Sequence, residues 1–361
     1  MEKTIDNKGI IAVLILNFTA LKMMFLPSLF DTSLGKSGFL YAFIMFCLEV
    51  LVVGALIYLG KKSDKNFFEL TEDIFGKVIA KIIIFILLIY FLVNTFSVIQ
   101  SLYTFLGENI YAKLNWEKYI LPIFLMICFV SGSSLKGIVR LVQCFVPLII
   151  IAFVISLFLG AVYCDFSNIL PVFDGGISAF KVFDYSYWFG DGLILILFFG
   201  KYDKTKSSKP IITTAIVVSL AITFFFLVFY CLYETDSINN KEAIVDMLKV
   251  MPQNSDAGNI NWLITILWQG VLMLYICLYG FVCRVFVEKL FCFNNAKISI
   301  PIVLAVVLTV LLLLNFDMRK VILLLTMYGK YLAIFAQYVL PGLILVFSLR
   351  LRRKNEKVVQ K

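Results

Sequence analysis

The chain has 361 residues, of which 61% are hydrophobic and 15% charged, against about half apolar and about a quarter charged in a soluble domain. A water-soluble core does not hide that much apolar surface, so the composition specifies a polytopic membrane protein. The count of histidines is zero, which excludes Ser-His-Asp hydrolysis, His-ligated zinc or haem and His proton shuttles. The formal net charge of +9 points to a basic face against anionic lipid rather than to nucleic acid.

A helix needs about 20 apolar residues to cross the hydrocarbon. Walking the chain on that rule gives ten predicted spans: 9–30, 38–60, 82–106, 119–134, 137–163, 183–200, 211–233, 260–283, 298–316 and 321–348. The first run is long and lacks a small-residue cleavage site, so it reads as a span rather than a signal peptide. No soluble domain is expected. The longest hydrophilic stretch, 234–259, carries a short amphipathic pattern (Ala243, Ile244, Met247, Leu248) ahead of Pro252. The eight cysteines form no CxxC and lie mostly within apolar runs, where they read as small packing residues; Cys164 and Cys231 share the predicted outer face.

Orientation follows from lysine and arginine. With the N-terminus inside, 22 of the 32 lie on inner segments, 8 on outer segments and two, Lys22 and Lys330, within spans. Both termini are therefore expected in the cytoplasm, with a basic tail over 349–361. The arrangement is a single transmembrane domain.

Two spans are not ordinary helices. The first reads Asn17-Phe18-Thr19-Ala20-Leu21-Lys22 and then Phe25-Leu26-Pro27. The sixth is short and reads Ser186-Tyr187-Trp188-Phe189-Gly190-Asp191-Gly192. Each opens a five-helix half, 9–163 and 183–348. Paired interruptions at matching places in two halves point to an inverted-repeat transporter of the LeuT type, all-α, with broken helices one and six. Unwound backbone at such breaks exposes N–H and C=O groups to a ligand. The candidate ligand-binding residues are accordingly Thr19, Ala20, Leu21, Lys22, Tyr187, Trp188, Phe189, Gly190 and Asp191. Asn94, Ser97 and Gln100, spaced along one face of span three, are further candidates or interhelical hydrogen-bonders. The aromatic run Tyr185, Tyr187, Trp188, Phe189 suits an apolar or aromatic ligand side chain.

Four ionisable residues lie inside spans: Lys22, Glu49, Asp191 and Lys330. A charge at a helix centre costs roughly 2.5–3.5 kcal/mol on insertion scales, so each is expected to face protein or water. Lys22 lies roughly 4–5 Å outward of the centre of span one at 1.5 Å per residue, and Glu49 and Asp191 are near the centres of spans two and six. Lys22 is thus placed to pair with Glu49 or Asp191. Either these charges contact a ligand or titrate in a conformational cycle, or they form a static buried pair. Lys330 is a further coupling candidate, or snorkels to the outer interface.

With these residues in hand, the chain resembles the B subunits of spore germinant receptors, a bacterial branch of the amino acid–polyamine–organocation permease superfamily. The likeness runs the whole length in weak motifs: Leu26-Pro27 closing the first span; Gly76-Lys77 before the third; Lys136-Gly137-Ile138 with Arg140-Leu141 entering the fifth; Asn168-Ile169-Leu170-Pro171-Val172; and Phe189-Gly190-Asp191, where the family commonly has Phe-Gly-Glu. The resemblance implies ten helices in a LeuT-like fold and binding of an amino acid or similar nutrient between helices one and six. It also implies A and C subunits as partners in the inner membrane of the spore, and no cofactor. The chain departs from that pattern where glycines usually precede Leu-Pro: here stand Ala20 and Lys22. A lysine there supplies a cation of its own, which suits a sensor rather than an ion-coupled carrier. A proton- or sodium-coupled amino acid permease is the alternative. An enzyme is not expected, as no catalytic cluster is present.

Overall fold

In hydrocarbon every backbone N–H and C=O must find a partner within the protein, and this sequence meets that demand with helices. The computed structural model describes residues 5–109, 115–170, 181–203, 205–233, 242–249, 260–292 and 295–359. Among the described residues there is no strand, only an isolated bridge between Ile5 and Tyr202. Among the described residues, eight helices are long and apolar enough to cross a membrane: Asn7–Phe30, Gly35–Lys62, Phe67–Gly107, Leu135–Tyr163, Lys209–Tyr233, Trp262–Phe291, Ala296–Leu313 and Arg319–Arg350.

The other two expected spans differ for identifiable reasons. The fourth forms a helix of 16 residues, Trp116–Ser131, shorter than the roughly 20 needed for a full crossing. The sixth is not one helix. It is a single turn, Lys181–Asp184, a 3-10 turn, Ser186–Trp188, extended backbone at Phe189, and a 3-10 segment, Asp191–Phe198. A 3-10 helix rises about 2 Å per residue, so these eight residues reach about as far as eleven in an α-helix.

The first span is also interrupted, but more gently than an unwound break. Helix α1 (Asn7–Ala20) and helix α2 (Lys22–Leu34) meet at Leu21, which keeps right-handed helical torsions (φ −88°, ψ −36°). Ala20 and Lys22 carry side chains where a glycine pair would let the backbone open. The freed Ala20 carbonyl accepts a hydrogen bond from Trp268 Nε1 at 3.2 Å. This span is the centre of the molecule, with 89% of its most apolar window buried. A helix apolar all round belongs there.

Around it stand α3 (Gly38–Lys62), α4 (Phe67–Asn109, kinked at Gly76), α5 (Trp116–Ser131), α6 (Leu135–Tyr163), α7 (Lys181–Asp184) and α8 (Lys209–Tyr233). Then follow α9 (Ala243–Lys249), α10 (Ile260–Phe291) and α11 (Ala296–Leu313). The last span is α12 (Met318–Leu324), α13 (Lys330–Ile334) and α14 (Leu340–Val359), joined by π-helical turns at Leu325–Gly329 and Phe335–Val339. Helix α6, with 22% of its window buried, lies at the periphery. The amphipathic pattern in the 234–259 stretch becomes α9, whose residues from Ala243 to Leu248 are all buried against α2, α6 and α10. Residues 234–241 and 250–259, Pro252 among them, lie outside the described residues, as do Pro171 and Val172. Cys164 and Cys231 are both free thiols, so the shared face does not carry a disulfide.

At one end of the bundle the start of α1 is tied to the segment after the sixth span. Ile5 N–H donates to the Lys201 carbonyl (3.0 Å), Asn7 Nδ2 to the Ser207 carbonyl (2.7 Å), and Lys206 Nζ lies 2.8 Å from Asp6 Oδ1. The hydrogen bond from Lys206 holds the Asp6 carboxyl below its ordinary range. The two interrupted spans thus share an anchor.

Gly200, at that anchor, has φ +72°, and a Cβ there would lie 3.2 Å from the Asp64 carbonyl oxygen and 3.3 Å from Asn66 N, backbone atoms that do not swing away. Gly200→Ala is expected to lower stability by about 1–3 kcal/mol. Gly54→Ala, at a helical position with open space around the new Cβ, leaves stability unchanged or raises it by about 0.5–1 kcal/mol. Thermal unfolding of both variants in detergent checks the contrast.

Candidate functional site

Lys22 is the first residue of α2 and has 0% of its surface exposed. Its position one turn after Phe18 puts the ammonium 4.6 Å from the Phe18 ring centroid. Phe46 on α3 and Phe189 at the sixth break complete the surround, each with its centroid 5.1 Å away. Ring faces are negative, so three of them favour the cation. Two carboxylates then take the ammonium directly: Glu49 Oε2 at 2.9 Å and Asp191 Oδ2 at 2.5 Å.

Each carboxylate is oriented by its second oxygen. Glu49 Oε1 accepts the backbone N–H of Gly190 (3.0 Å) and of Gly192 (3.3 Å). Asp191 Oδ1 accepts the hydroxyls of Tyr275 (3.1 Å) and Tyr279 (3.3 Å). These tyrosines are one turn apart on α10, with rings stacked at 4.4 Å. Every oxygen of both acids has a donor, the condition under which buried charge is tolerated. The cluster holds two acids and one base, and the polar hydrogens of four neutral donors offset the excess negative charge.

The break is built for this. Gly190 has φ +137°, a region that side-chain-bearing residues rarely enter, and the Gln337 side chain occupies the space where its Cβ would point. Gln337 Nε2 donates to Tyr90 Oη (3.0 Å) and to the Ser186 carbonyl (3.1 Å), so the final span holds the part of the sixth segment before the break, 181–188. Gly192 lets α3 approach: a Cβ there would lie 2.8 Å from Val53 Cγ2.

The structure brings together Lys22, Phe189, Gly190 and Asp191 from the expected ligand-binding set, with Glu49. Ala20 and Leu21 lie at the helix junction beside Lys22, and the other expected residues hold contacts of their own. Thr19 donates to the Ile15 carbonyl (2.7 Å), Asn94 to that of Tyr90 (3.0 Å) and Ser97 to that of Val93 (2.6 Å), each one turn back along its own helix. Gln100 Nε2 reaches the Phe316 carbonyl at 2.7 Å. Tyr187 and Trp188 are buried and pack edge to face (6.3 Å), with Tyr187 against the Tyr90 ring (6.1 Å). Lys330 does not join the cluster; it pairs with Asp184 at 2.6 Å, at the half-exposed end of α7. Tyr275, Tyr279, Phe18, Phe46 and Gln337 are site residues that the sequence reading missed. The only signal for the tyrosines was their spacing of four along an apolar span. Among the described residues no three His, Cys, Asp or Glu side chains converge to hold a metal ion.

Removing one partner of a buried, fully hydrogen-bonded charge cluster typically costs about 3–5 kcal/mol. Lys22→Met, which leaves two carboxylates facing each other, is expected to destabilise by that amount in thermal or denaturant unfolding. Lys330→Met, at a partly solvated pair, costs less than about 1 kcal/mol.

The comparison with known families now bears on this geometry. Residues 7–319 match the family described as spore germination protein (Spore_permease), which takes in both interrupted spans, the Lys22 cluster and α10. No curated protein matches the chain. With most of its length inside that match, the chain belongs to the spore germination protein family.

Proposed function

We propose that this chain is a nutrient-sensing subunit of a spore germination receptor, built on a transporter scaffold, which binds an amino acid or a similar small nutrient between its first and sixth spans. The observation that carries the reading is the Lys22 ammonium, which joins α2, α3 and the sixth break through Glu49 and Asp191. A group that closes three elements on one another at mid-span is where a ligand changes the relative stability of two conformations. Counting the 16-residue α5 and the broken sixth segment as crossings gives ten spans. They divide into repeats over about 9–163 and 183–348, each opening on an interrupted span in the LeuT-like inverted manner. The 22-to-8 distribution of basic residues supports both ends being cytoplasmic. In this reading the chain works with A and C receptor subunits in the inner membrane of the spore, and it is not an enzyme.

A second reading, a proton- or sodium-coupled amino acid permease, draws on the charge count of the site. Two carboxylates share one ammonium, leaving one negative charge for a coupling cation to neutralise. Sensing is preferred because Lys22 is a permanently tethered cation, which a carrier would have to release on every cycle.

The two readings separate on uptake. Reconstituted protein is expected to give no concentrative uptake of radiolabelled amino acid under a proton or sodium gradient; robust uptake would favour the permease. In spores, Lys22→Met is expected to lower nutrient-triggered germination at least tenfold with the subunit still present by immunoblot. Unchanged germination would count against the site.

A further inference from the structure

The centre of the molecule is already liganded by its own side chains. In a broken-helix site, exposed N–H groups receive a ligand's carboxylate, and an acidic side chain receives its ammonium. Here the Gly190 and Gly192 N–H groups are taken by Glu49 Oε1 at 3.0 and 3.3 Å. The Asp191 carboxylate is taken by Lys22 Nζ at 2.5 Å. The two groups that fill these positions also touch each other, Lys22 Nζ lying 2.9 Å from Glu49 Oε2. A carboxylate and an ammonium therefore stand side by side, as close as the two charged ends of one α-amino acid.

We propose that Lys22 and Glu49 form a built-in surrogate for a zwitterionic amino acid, and that a free α-amino acid binds by displacing both. Its carboxylate takes the Gly190 and Gly192 N–H groups, and its ammonium takes Asp191 Oδ2, beside the Phe18, Phe46 and Phe189 rings. This deepens the reading above and rests on its placement of the ligand between the first and sixth spans. The exchange preserves charge, since one carboxylate and one ammonium leave and one of each arrives. It also has a structural output. Glu49 belongs to α3 and Lys22 to α2, so displacement frees both helices from the break while the ligand keeps Asp191 and the glycine N–H groups satisfied. A tethered competitor scales the apparent affinity for the free ligand by the fraction of time it leaves the site open, which sets a threshold concentration for the nutrient.

The test is binding to the full-length protein in detergent, by calorimetry and thermal shift, of glycine and L-alanine, with methylammonium and acetate as single-charge controls. The Lys22→Ala/Glu49→Ala double variant is expected to bind glycine or L-alanine at least tenfold more tightly than the wild type. The controls should not stabilise it, and adding Asp191→Asn should abolish the gain. If that variant does not fold, Lys22→Met/Glu49→Gln keeps the side-chain volumes and should show the same direction. A folded double variant that binds neither amino acid more tightly than the wild type overturns the proposal. So does loss of binding seen in the wild type, which would make Lys22 and Glu49 direct contacts and leave nutrient binding standing. Equal stabilisation of wild type and double variant by glucose or inosine, with no amino acid effect, also overturns the surrogate but not the nutrient reading. Absence of binding by every probe to every form overturns both.

Discussion

The architecture depends on one buried ammonium group and the side chains that compensate it. Lys22 cannot snorkel to an interface: it is fully buried, with a phenylalanine ring on three sides and a carboxylate at 2.9 and 2.5 Å. In a medium of low dielectric an uncompensated charge is so costly that its partners' positions become mandatory. Glu49 must face the first span, and Asp191 must face inward. The break in the sixth segment supplies what the helices do not, two backbone N–H groups for the second oxygen of Glu49. The irregular backbone of the sixth segment is thus explained by the charge it serves. Non-helical backbone within a membrane protein is tolerated only where protein satisfies its polar groups.

The sixth segment is held from two sides. The part from Gly190 onward is gripped by Glu49 on α3 and by Tyr275 and Tyr279 on α10. The part before it is gripped by the last span, through Lys330 to Asp184 and Gln337 to the Ser186 carbonyl, and by Tyr185 Oη donating to the Leu29 carbonyl of α2 (3.2 Å). Between the two grips lies Gly190 with its positive φ. Lys330 opens α13, between the two π-helical turns, and Gln337 lies within the second; such turns are common at functional sites, where they re-aim side chains from a helix. A segment with separate holds and a glycine between them is suited to having its halves change partners independently.

Much of this was legible in the residues. Hydropathy located the apolar segments, because a bilayer leaves few other solutions. The rarity of charge within spans singled out Lys22, Glu49 and Asp191 and suggested their pairing. Gly190 and Gly192 flanking an acid marked the deeper break. What stayed hidden depended on three-dimensional neighbours. Tyr275 and Tyr279 are two among 17 tyrosines, and nothing local distinguishes a hydroxyl aimed at Asp191 from one at an interface. Asn94 and Ser97 looked like a polar face, yet each bonds back to its own helix, an option open to short polar side chains. The first span keeps helical torsions at Leu21 rather than unwinding, with Ala20 and Lys22 standing where glycine would open the chain, and Trp268 donates to the Ala20 carbonyl.

The central claim is that Lys22 and Asp191 act as one unit rather than as two separately tolerated charges. A double-mutant cycle with Lys22→Met, Asp191→Asn and the double variant, read by unfolding free energy in detergent, addresses it most directly. The account predicts a coupling energy of at least about 2 kcal/mol, since Asp191→Asn removes an attraction when Lys22 is present and a repulsion from Glu49 when it is not. Additivity of the two single effects within about 0.5 kcal/mol would contradict it.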